Sequence, residues 1–197
     1  MSFGFIVVTR MLQKYPEIAK KIEDLVSIVG FVHKDDFVFS RKTYLLFRYT
    51  SSFFSNRLPA AFAKNVVLRG PLIRATYRMV ADKHVKLQDA DQKEREERID
   101  FEVGLWQAND IRTYMDNSVT MLTLDLCNAQ VDLPVYHVAV DNDRYFDNKI
   151  VEQHLNVIYS KVTVIKSTIK GHAPTVVADA KAAAPFVPKK IRQLLSN

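Results

Sequence analysis

The chain has 197 residues, 48% of them hydrophobic and 25% charged, enough for one domain with a hydrophobic core or for a domain carrying an insertion. It has no run of about 18 uncharged apolar residues, which argues against a transmembrane helix, and the formal net charge of +6 bears on solubility more than on partners. Cys127 is the only cysteine, so a disulfide-stapled scaffold is excluded and a reducing cytoplasm is the expected compartment; no basic stretch precedes the apolar residues of positions 1–10, so no signal peptide is read there.

Residues 1–21 read as a turn running into a helix. Ile6, Val7, Met11 and Leu12 recur near helical spacing, and Tyr15-Pro16 stands where a proline ends it. Residues 25–32 (LVSIVGFV) are continuously apolar and rich in β-branched side chains, which suits a buried strand of a parallel sheet. From residue 35 to about 128 strand-like texture disappears. Aromatic and basic residues crowd positions 41–86, a charged stretch follows at 88–98 (QDADQKEREER), and helical periodicity returns at 110–126. After Leu133-Pro134, residues 135–140 (VYHVAV) and 161–166 (KVTVIK) read as strands around a helix at 147–155, and helical material follows from residue 176. Strands and helices in alternation predict an α/β class with a parallel sheet.

In open parallel sheets reactive residues gather in the loops at the carboxyl ends of strands. Asp143 lies in the loop after VYHVAV, and His172 follows KVTVIK; Ser2 stands just before the first helix. The segment Met1-Ser2-Phe3-Gly4 resembles the last four residues of the G-x-S-x-G nucleophile elbow of α/β-hydrolases. The segment 133–143 (LPVYHVAVDND) is similar to the strand and loop that deliver the acid in that family, and 170–174 (KGHAP) to the loop that delivers the base. The order Ser, Asp, His is the family's order. The resemblance implies a serine hydrolase acting on an ester or related acyl bond. Ser2 would be the nucleophile, His172 the base, Asp143 the acid that orients it, and the Phe3 N–H one oxyanion-hole donor. It further implies the C-terminal portion of a hydrolase sheet with a helical cap inserted. Residues 1–37 would hold the elbow helix and the next strand, 38–130 the cap, and 131–197 the strands and helices bearing acid and base.

The bland readings stand beside these. Asp143 can simply close an Asp-Asn-Asp turn, and Asp141 is its nearest rival as the acid. His137, inside a strand, reads as a packed and hydrogen-bonded residue, and His33 as structural; His84 and His154 read as surface residues. No His, Cys and carboxylate cluster has metal-ligand spacing, and no Gly-rich phosphate loop occurs, so neither metal nor cofactor is expected. The strands and the glycine that precede the serine in the family pattern have no counterpart before Met1, so the expectation is a fragment with little activity by itself. The expected partner is a small hydrophobic or acyl substrate rather than a nucleic acid. The alternative is a non-catalytic hydrolase-like protein that binds partners or a membrane through the basic, aromatic surface of 41–86. Oligomeric state is open.

Overall fold

The computed structural model describes residues 3–82, 87, 90–141, 143–167 and 187–194. Three parallel strands form the sheet: β1 (Leu25–Ile28), β2 (Val131–Val140) and β3 (Tyr159–Ser167), side by side in sequence order. The helices are α1 (Phe3–Lys14), α2 (Pro16–Ala19), α3 (Arg41–Phe54), α4 (Arg57–Phe62), α5 (Gly70–Val80), α6 (Gln92–Ala108), α7 (Ile111–Leu122), α8 (Asn148–Ile158) and α9 (Lys189–Leu194). The fold is therefore α/β, with a mostly helical middle region. The chain divides into two compact units, one of Met1–Ser40 with Thr123–Asn197 and one of Arg41–Leu122.

In the sheet unit, β2 is central and its apolar run is nearly all buried, as a strand covered on both faces requires. One face packs Val138 and Ile165 against Ile191 of α9, with Val26, Ile28 and Tyr136 around them. On the other face Ser27 and His137 are buried, and Phe5 of α1 lies beside Gly30. Thr9 Oγ1 bonds Tyr159 Oη (2.7 Å), and Gln13 Nε2 donates to the carbonyls of Leu126 and Ala129 (both 2.7 Å). These contacts set the C-terminal half of α1 by the amino ends of β2 and β3. In its first turn Phe5 lies beside Gly30 and 5.9 Å from the Tyr159 ring between centroids. Pro16 opens α2 at its first position, where a missing N–H costs nothing. Pro134 sits within β2, and the pairing with β3 is irregular between Val131 and Pro134; an interrupted ladder is where a central strand tolerates proline.

The expected strand over 25–32 is cut to four residues. Val29 adopts a φ of 49°, strained for a β-branched residue, and the chain turns back on itself. A Cβ at Gly30 would collide with Ser27 Oγ and come within 2.6 Å of the Phe5 ring, so only glycine fits that turn. The returning segment pairs with residues 124–126: Lys34 N–H donates to the Leu124 carbonyl (2.8 Å) and Leu126 N–H to that of Val32 (3.2 Å). This pairing also ends α7 at Leu122, four residues before the helical periodicity does.

The helical unit has its own core. Ile73, Ala81, Leu87, Ile99 and Val103 form one cluster, and Ala60, Ala63 and Ile111 another, with Leu68 and Trp106 touching both. A π-helical turn, Ala63–Val67, follows α4. Lys64 uses its ammonium on the carbonyls of Trp106, Gln107 and Asn109 (3.1, 2.6 and 2.8 Å), satisfying the acceptors that the end of α6 leaves open and opposing its dipole.

Candidate functional site

Val140 ends β2, and its carbonyl accepts from Asn148 Nδ2 (2.8 Å) in the first turn of α8. The loop 141–147 thus leaves and returns at the carboxyl edge of the sheet. Within it, Asp143 Oδ1 accepts the N–H groups of Tyr145 (2.8 Å) and Phe146 (3.3 Å), a side-chain turn of the kind aspartate favours. Asp147 caps α8, with Oδ1 accepting from Lys149 (2.9 Å) and Ile150 (3.4 Å). Asp141 is exposed and Asp143 partly buried.

Ser2 and His172 lie outside the described residues, as does His84. By position in the chain, Ser2 immediately precedes α1, and His172 follows the last residue of β3 by five. Phe3 is the first residue of α1, and the N–H groups of a first helical turn have no partner within their helix. Asp143, in the loop that follows β2, and the start of α1 are the described parts of the expected site.

A second constellation lies behind the Asp143 loop. Asp36 is fully buried. Its Oδ2 accepts the N–H groups of Val32 (2.8 Å) and His33 (2.9 Å), and its Oδ1 lies 2.6 Å from His154 Nδ1 on α8. The His33 and His154 rings are 4.3 Å apart between centroids. His33 also caps the 3-10 turn Lys34–Asp36, its Nδ1 accepting from Asp35 N–H (3.1 Å). The backbone of the same segment holds the acid loop: Asp147 N–H donates to the Asp36 carbonyl (2.8 Å), Val38 N–H to that of Tyr145 (3.0 Å), and Phe37 bridges to Phe146. Phe31 stacks on Phe146 at that junction, and Phe37 packs against both, edge-on to Phe31. His154 is therefore no free surface histidine; a buried carboxylate demands a partner, and His154 is the one α8 supplies. The signal in the sequence is His33-Lys34-Asp35-Asp36 directly after an apolar run, but the partner is 118 positions away.

His137 is 1% exposed, with Nδ1 3.2 Å from Ser27 Oγ. Burial holds its pKa down at about 4, so it is neutral near pH 7. This serine–histidine pair is sealed in the core and has no access to substrate. Cys127 is pushed up to about 11 by burial and by the nearby carboxylates of Asp125 and Asp36, so it is a thiol rather than the reactive thiolate. Among the described residues no group of three or more His, Cys, Asp or Glu is placed to hold a metal ion, and no helix is long and apolar enough to cross a membrane. In comparisons with known proteins, no family model and no curated sequence matches the chain.

Proposed function

We propose that the protein is a serine hydrolase of the α/β-hydrolase type that cleaves an ester or related acyl bond of a small, hydrophobic substrate. The reading rests above all on the topology: three parallel strands in sequence order, with a helix leading into the first. In that order the chain runs on from the carboxyl ends of neighbouring strands toward Asp143 and, in sequence, His172, and Ser2 immediately precedes the first helix in the sequence. A catalytic triad needs three residues distant in sequence brought to one edge of the sheet, and this strand order is compatible with that.

In the proposed mechanism His172 accepts the Ser2 hydroxyl proton as the oxygen attacks the acyl carbon, then gives it to the leaving group. Asp143 fixes the imidazole tautomer and stabilises the imidazolium. The Phe3 N–H donates to the oxyanion, where loss of one donor costs about 3 kcal/mol of transition-state stabilisation.

A fluorophosphonate probe tests this on the protein, because only an activated serine reacts with it. Labelling is expected at Ser2. It should vanish in Ser2→Ala and His172→Ala and fall by about 10⁴-fold in Asp143→Asn. Labelling that persists in Ser2→Ala would overturn the assignment.

A further inference from the structure

The outer surface of the helical unit is the reverse of what an amphipathic helix normally presents to water. On α3, positions 42, 46, 49 and 53 follow one another at helical spacing on one face, and they are Lys42, Leu46, Tyr49 and Phe53. Leu46, Tyr49 and Phe53 are 62%, 69% and 59% exposed, while the buried residue of this helix is Ser51. On α4, Leu58 and Phe62 share a face and are 82% and 58% exposed. Fourteen of the twenty-one exposed large apolar side chains among the described residues belong to this unit, so the feature is regional rather than the scatter every surface shows.

The charge around these side chains has one sign. No Asp or Glu occurs from residue 37 to residue 81, whereas eight Lys and Arg do. Arg74 and Arg78 are paired with Asp100 and Glu96 of α6, and Lys64 is spent on the end of that helix. Arg41, Lys42, Arg48 and Arg57 make no ion pair among the described residues. Arg57 and Arg112 line an open cavity of about 560 Å³ beside α4.

From these observations we infer that α3 and α4 dock on an anionic lipid surface, with Leu46, Tyr49, Phe53, Leu58 and Phe62 entering the headgroup boundary and Lys42, Arg48 and Arg57 meeting the lipid phosphates. Exposed aliphatic and aromatic side chains flanked by cations are the composition of helices that lie in that interface. A second copy of the chain is the poorer occupant, since it would set like charge against like charge. A nucleic acid accounts for the cations but gives Leu46 and Leu58 nothing to do.

The test is co-sedimentation of the full chain with phosphatidylcholine vesicles, with and without about a third phosphatidylserine. Binding is expected only with the anionic lipid and should weaken as salt is raised. The variant Leu46→Ser/Tyr49→Ser/Phe53→Ser, all exposed positions, should keep its circular dichroism and thermal midpoint and lose at least about tenfold in vesicle affinity. Arg48→Gln should lose about fivefold on anionic vesicles alone. Equal binding to neutral and anionic vesicles would overturn the inference. So would salt-independent binding, or a triple variant that changes oligomeric state or RNA binding while leaving vesicle affinity intact. The readout is independent of catalysis, so it stands whether or not Ser2 reacts with a fluorophosphonate.

Discussion

At the scale of single residues, Asp36 is the side chain on which the candidate site depends most, although it makes no claim to chemistry of its own. It is a buried carboxylate that joins three elements: the turn after β1, α8 through His154, and the acid loop through its own carbonyl. Truncation to Ala would strand the Val32 and His33 N–H groups and the His154 imidazole. Asp36→Ala is therefore expected to cost about 3 kcal/mol or more of stability, measured by urea unfolding, and to loosen the loop that carries Asp143. Asp143 itself is the reverse case. Its residue type and its place after a strand are legible in the sequence, and the turn it closes was one of the readings the Asp-Asn-Asp pattern offered.

Among the elements, the strands show where periodicity informs and where it stops. β2 and β3 fall where apolar, β-branched runs predict them, and α8 starts within the helix expected at 147–155, capped by Asp147. The run 25–32 is equally apolar, yet it holds a strand, a left-handed Val29 and a turn at Gly30. Hydropathy reports burial; the strand is half-buried except for Ser27 and the returning segment 29–32 is buried, so the reversal leaves no mark in it. The glycine is the only local clue. Gly30→Ala must displace Ser27 or Phe5, and the cost of such overpacking is about 1–3 kcal/mol; a thermal melt of the variant checks it. A midpoint equal to that of the parent would mean that the turn can open.

For the whole molecule, burial of His137 couples folding to pH. The unfolded imidazole titrates near 6.5 and the folded one near 4, so between those values the unfolded chain binds the extra proton. The contribution to stability is complete above pH 6.5 and declines as pH falls toward 4. It amounts to about 2 kcal/mol between pH 7 and pH 5. Urea midpoints at the two pH values should show that loss, and His137→Asn should flatten it. A loss undiminished in the variant would assign the slope to other groups.

The α/β class, the positions of the second and third strands, and the helical character of the middle region can be read from local pattern alone, because each is written in patterns no longer than one element. The residue types expected of a hydrolase site, Ser2, Asp143 and His172, were also readable at that range. Long-range packing accounts for the rest: the chain reverses after Ile28, Asp36 finds His154 across 118 positions, and α3 turns Leu46, Tyr49 and Phe53 to water. Burial of a charge and exposure of an apolar face depend on what the rest of the chain brings alongside, and a one-dimensional pattern carries no term for that.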